Sequence, residues 1–189
     1  GSASANGTAF WTYTQADMDV MVEKGVEAIY TTGNHEYMNG SYSNDANSTT
    51  KNYREDQEVL NTDTFHMYAL GSSGSNWNQY SGTQISTLKT YLASITDNKP
   101  IIIITHYPLH WTSSRSITGA GDLIKVLNDA ADSGKKIVFL WGHNHTDALG
   151  VETHYDEIFA PTESIQYSSN QSAELSFYYA AAGCMSDSD

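Results

Sequence analysis

An α/β fold with a largely buried sheet is what this sequence predicts, on three observations. Helical and strand-like segments alternate through the first 150 residues and then give way to strands alone, the ordering of layered α/β proteins. Two runs, "KPIIIIT" and "KIVFLW", are continuous apolar stretches rich in β-branched residues, as in strands buried on both faces. Three strand-like segments end alike: "VEAIYTT" runs into GNHE, "PIIIIT" into HYPLH, and "KIVFLW" into GHNH. In open α/β sheets ligands collect beyond the carboxyl ends of strands, so these three exits locate the candidate site.

Each element has a local signal. "TQADMDVMVEKG" opens with Thr14 and Asp17 at capping-box spacing and closes on Gly25, which predicts a helix. "VEAIYTT" follows as a strand. Residues 38–64 are polar and read as a long loop near the site, with one helical turn near Tyr53 to Leu60. "TFHMYAL" reads as a strand. "SGTQISTLKTYLASI" has Ser81 and Gln84 at capping-box spacing and an apolar stripe of Ile85, Leu88, Leu92 and Ile95, so it is a helix. "GDLIKVLNDAADSGK" is a helix ended by Gly134. Beyond residue 150 come three strand segments, "VETHYDEIFA", "ESIQYSS" and "AELSFYYAAAG". The chain is read as one domain over residues 1–189, with 1–12 linker- or tag-like and no internal repeats.

Composition narrows the function classes. The chain has 189 residues, 39% of them hydrophobic and 12% aromatic, which suits a globular domain rather than a disordered one. Nine Lys and Arg against 22 Asp and Glu give a net charge of −13, so nucleic-acid backbone binding by charge alone is excluded. An acidic protein can still hold phosphate if a metal supplies the positive charge. Cys184 is the only cysteine, so there is no disulfide framework. No apolar run approaches the roughly 20 residues of a transmembrane span, and "GSASANGTAF" lacks the regions of a signal peptide. A surface rich in Ser, Thr, Asn and Tyr and poor in Lys points to a bacterial extracellular or cell-surface setting, with a cytoplasmic one as the alternative.

Five of the seven histidines lie in the three exits. A neutral imidazole nitrogen binds divalent metals, and an Asn carbonyl oxygen is a harder ligand, so Asn34, His106, His143 and His145 form a candidate metal set. In "GHNH" the alternation of an extended segment points His143 and His145 to the same side, and Gly142 allows close backbone approach. A His/Asn set without Cys suits zinc, iron or manganese better than calcium. Each motif alone is weak, since a GNH turn is most often just a turn. Their order behind three buried strands is what carries the signal.

The series "TTGNHE", "IIIITHYPLH" and "FLWGHNHTD" resembles the second half of a calcineurin-like metallophosphoesterase, over about Tyr13 to Gly183. The resemblance implies a four-layer αββα sandwich with two divalent metal ions and a phosphate-ester substrate. It implies that Asn34, His106 and His143 bind one metal and His145 the other. His35 would contact the substrate phosphate and protonate the leaving oxygen, with Glu36 orienting His35. In-line attack on phosphorus would follow, assisted by both metals.

The sequence also departs from the family pattern. No Asp is followed two positions later by His, and the one Gly-Asp pair, Gly121-Asp122, sits at a predicted helix start, where an N-terminal Asp is expected anyway. The expectation is that the missing motifs lie upstream or on a partner chain, that the chain holds one metal or none, and that alone it is weakly active or inactive. His110 either lines the pocket as a substrate contact or is an ordinary loop histidine. His66, His154 and Cys184 read as structural. Tyr107 and Trp111 read as packing or pocket walls, and Tyr53 and Arg54 as part of a solvated loop. The rival function is a non-catalytic surface binding domain that keeps the fold. Retention of His35 beside Glu36 argues against it, because a scaffold needs neither. A metallopeptidase is disfavoured, as no His-Glu-x-x-His helix is present.

Overall fold

A computed structural model describes residues 19–21, 23–26, 29, 31, 58–71, 78–112, 117–143 and 157–182, and among the described residues from 58 onward are eight strands and two helices. The strands are β1 (Glu58–Asn61), β2 (His66–Leu70), β3 (Ile101–Thr105), β4 (Ile137–Trp141), β5 (Ile158–Phe159), β6 (Ser164–Ser168), β7 (Gln171–Glu174) and β8 (Tyr178–Ala181). The helices are α1 (Gly82–Ser94), between β2 and β3, and α2 (Ala120–Asp132), between β3 and β4.

Six strands form one sheet in the order β1-β2-β3-β4-β8-β5, and β6 pairs with β7 as a separate antiparallel hairpin. The four central strands β2, β3, β4 and β8 are parallel, while the edge strands β1 and β5 are antiparallel to their neighbours. Parallel neighbours need a crossover, which α1 supplies between β2 and β3 and α2 between β3 and β4. The mixed α/β class expected from the sequence is therefore observed.

Local signals explain the helices. Ser81 caps α1 in a full capping box: its hydroxyl accepts from Gln84 N–H (3.2 Å), and Gln84 Oε1 accepts from Ser81 N–H (3.0 Å). Helix α2 ends in a Schellman arrangement at Gly134 (φ 101°), with Gly134 N–H bonded to Ala131 O and Lys135 N–H to Ala130 O. Residues 19–21 and 23 are helical, and Gly25 (φ 72°) ends that helix, with Val26 N–H bonded to Met21 O at 2.8 Å. The Thr14–Asp17 cap lies outside the described residues.

The two faces of the sheet differ. One row, Tyr68, Ile103, Phe139 and Tyr179, is fully buried and packs with Leu88 and Leu92 of α1 and Leu123, Ile124 and Leu127 of α2. Burying each such side chain stabilises by about 1.5–3 kcal/mol, so this layer holds the fold. The opposite face carries Met67, Ile102, Val138 and Tyr178 in one register row and Ala69, Ile104, Leu140 and Ala180 in the next. Most of these are half-buried, and Tyr178 is exposed. Burial on both faces, expected of β3 and β4, is thus complete on the helix side only, because α1 and α2 cover that side alone.

Two further expectations are corrected. Glu58–Asn61, inside the segment expected to hold a helical turn, is a strand, because it finds an antiparallel partner in β2 that local sequence could not reveal. "AELSFYYAAAG" is two elements: β7 stops at Glu174 to pair with β6, and β8 enters the main sheet at Tyr178. Among the described residues no helix is long and apolar enough to cross a membrane.

Candidate metal-binding site

Two of the predicted ligands come together. His106 directly follows β3, and His143 follows β4 after Gly142. Their strands are neighbours and parallel, so both side chains emerge at the same carboxyl edge. His106 Nε2 lies 3.0 Å from His143 Nδ1, with ring centroids 4.8 Å apart, and both residues are half-buried. A backbone bond, Gly142 N–H to His106 O at 3.1 Å, ties one exit to the other. Tyr107 is buried beside the pair, its ring 5.0 Å from His106 and 4.8 Å from His143.

The way His143 is presented differs from the sequence reading. Its φ is 75°, in the left-handed region, so the backbone is not extended there and the alternation argument for His143 and His145 fails at its first residue. Gly142 is not needed for space either, since a Cβ there would meet His106 O at an ordinary 3.8 Å. The strained residue is the histidine itself. A side chain held in such a backbone costs on the order of 1–3 kcal/mol, a feature that concentrates at functional sites.

Thr31 connects the first exit to the same edge. Its hydroxyl donates to Leu70 O at 3.0 Å, and Leu70 is the register partner of Thr105, the residue before His106. Asn34, His35, Glu36 and His145 lie outside the described residues, as do Tyr53, Arg54, His154 and Cys184. Among the described residues there is no group of three or more His, Cys, Asp or Glu side chains able to hold a metal.

The other histidines have defined settings. His110 is 1% exposed, its Nδ1 lies 2.7 Å from the Tyr179 hydroxyl, and its ring meets Trp141 edge-on at 4.8 Å. His110 is thus buried and hydrogen-bonded within the loop that follows β3. His66 sits at the amino end of β2, with Nδ1 2.6 Å from Asn61 Oδ1 and Nε2 2.9 Å from Asp97 Oδ1. That hydrogen bond, with help from Lys99, holds the Asp97 carboxyl below its ordinary 3.8. Burial pushes the Tyr80 hydroxyl well above the usual phenol range, so it stays protonated and donates to Tyr107 O at 2.6 Å. Tyr80 and Tyr179, the two phenols that hold the His106 segment, carried no sequence signal.

A mostly parallel sheet with histidines at its carboxyl edge is an α/β architecture of the kind in which ligands collect beyond the strand ends, which makes this edge the candidate site. Comparison makes that specific: the family model of the calcineurin-like phosphoesterases matches residues 7–147, and the chain belongs to that family. Membership implies hydrolysis of phosphate esters with divalent metals. Comparison with curated proteins and with solved structures gives no significant match.

Proposed function

We propose that this chain supplies the His/Asn ligands of a dinuclear phosphoesterase site: Asn34, His106 and His143 for one divalent ion, and His145 for the other. The observation that carries the reading is the 3.0 Å separation of the His106 and His143 ring nitrogens. Two nitrogens bound at about 2.0–2.1 Å to one ion stand roughly that far apart, so the pair fits a shared metal of the zinc, iron or manganese kind. When bound, the ions supply Lewis-acid chemistry at the ester phosphorus. His35 contacts the phosphate and gives a proton to the leaving oxygen, and Glu36 orients His35 by a hydrogen bond. Thr31 anchored at Leu70 supports this, because it brings the chain toward the His106 edge three residues before Asn34.

The layer order belongs to the same reading. Alternate positions of β2, β3, β4 and β8 present a second apolar face, which suits a second sheet packed on it and hence an αββα sandwich. The sequence contains no Asp-x-His, so no carboxylate of that motif joins the ligands. The chain on its own therefore takes up one metal and turns over esters weakly.

Metal content after dialysis against zinc, manganese or iron, together with aryl-phosphate hydrolysis, tests this. About one ion per chain is expected, weakened at least about tenfold in His106→Ala and His143→Ala. Uptake unchanged in both variants would overturn the assignment. Folded protein with neither uptake nor turnover would favour a non-catalytic binding domain instead.

A further inference from the structure

His106 stands in a segment without regular structure, residues 106–112, whose backbone must be held by something other than a ladder. Two buried phenols do this. Tyr80 donates to Tyr107 O and lies 3.3 Å from Thr105 Oγ1. On the far side, Leu109 N–H (2.9 Å) and His110 N–H (3.4 Å) donate to the Tyr179 hydroxyl oxygen, and His110 Nδ1 lies 2.7 Å from the same atom. An oxygen accepting from two amides directs its own proton to the ring nitrogen, which leaves the His110 proton on Nε2.

Tyr179 also touches the other exit. Its ring stacks on Trp141 at 5.8 Å and 22° between planes, and Trp141 is two residues before His143. It is 0% exposed and sits in the same sheet row as Phe139 and Ile103. One side chain on β8 thus grips the His106 turn by its hydroxyl and the His143 strand by its ring face.

We propose that Tyr179 is a positioning residue for the histidine pair: its hydroxyl network sets where His106 stands relative to His143, and so tunes metal affinity without touching the metal. This rests on the reading of the pair as metal ligands. The oxygen is the critical atom, because the ring packing survives its removal. Groups bonded directly to a metal ligand typically change metal affinity 10–100-fold; Tyr179 acts through Leu109 and His110, so the low end, about tenfold, is expected.

Tyr179→Phe removes that oxygen and keeps the ring. Two measurements on the folded chain decide the matter: amide hydrogen exchange at Leu109 and His110, and the Zn2+ dissociation constant. Exchange at these two amides should accelerate at least about tenfold while Leu88 in α1 is unaffected, and Zn2+ binding should weaken about tenfold. Gly134→Ala, which weakens the fold at the carboxyl end of α2, on the amino side of β4 and away from the pair, should leave Zn2+ affinity unchanged, so a general loss of stability cannot mimic the result. Continued protection of Leu109 and His110 overturns the proposal, as does unchanged Zn2+ affinity in Tyr179→Phe while His106→Ala loses it. Should His106→Ala also bind Zn2+ normally, the ligand reading fails and takes the role of Tyr179 with it, whatever the amides show. If Tyr179→Phe does not fold, the wild-type chain decides: coupling is reciprocal, so Zn2+ should raise the protection of the Leu109 and His110 amides at least about tenfold, and unchanged protection overturns the proposal.

Discussion

Gly119 gives the most exposed test of how this scaffold is held. It is the N-cap position of α2, with φ 84° and no side-chain cap. A Cβ there would collide with the backbone carbonyl oxygen of Tyr80. That carbonyl cannot step aside, because Tyr80 N–H is bonded to Thr118 O at 2.9 Å and Thr118 N–H to Asn78 O at 3.0 Å. Gly119→Ala therefore incurs a left-handed backbone cost of about 1–2 kcal/mol and an overpacking cost of about 1–3 kcal/mol. At roughly 2–4 °C per kcal/mol for a chain of this size, the melting temperature should fall by about 10 °C. Gly134 is the internal control. It is also left-handed (φ 101°), yet nothing lies within 4 Å of a Cβ built there. Gly134→Ala should then show only the backbone part, about 1–2 kcal/mol and roughly 4 °C. Calorimetry or denaturant melts of the two variants give the comparison directly. If Gly119→Ala is as mild as Gly134→Ala, the contact with Tyr80 is not rigid and the reasoning fails.

Two other expectations follow from the geometry. His143→Gly and His143→Ala should lose metal binding equally, but the glycine variant should be the more stable by about 1 kcal/mol, because φ 75° is free of cost only for glycine; equal denaturation midpoints would show that no strain is stored there. At the opposite end of the sheet, Asp97 is ionised more readily in the folded protein than its ordinary 3.8, chiefly through the hydrogen bond from His66. A depressed folded value means its contribution is complete above 3.8 and disappears as the pH falls through the folded value. The stability gap between the wild type and Asp97→Asn should accordingly close on acidification below about pH 4; a gap independent of pH would remove the account of the lowered Asp97 carboxyl.

The sequence by itself determined what is local. The cap at Ser81, the stops at Gly25 and Gly134 and the apolar stripe of α1 act over a few residues, where side chain and backbone meet whatever the rest of the chain does. The β-branched runs of β3 and β4, and the histidines placed just past them, made one edge of an α/β sheet legible as the candidate site. Only the tertiary structure decided the rest. Glu58–Asn61 became a strand because β2 offered it a partner, and "AELSFYYAAAG" divided because its two halves pair in different sheets. The left-handed backbone of His143 is a feature of the folded chain that the extended reading of GHNH did not anticipate. The support of His106 is more distant still: the oxygen that gathers the Leu109 and His110 amides belongs to a residue 70 positions from the first of them. Contacts closed over such separations depend on the strand order β3-β4-β8, and the residue types at Leu109, His110 and Tyr179 carry no mark of it.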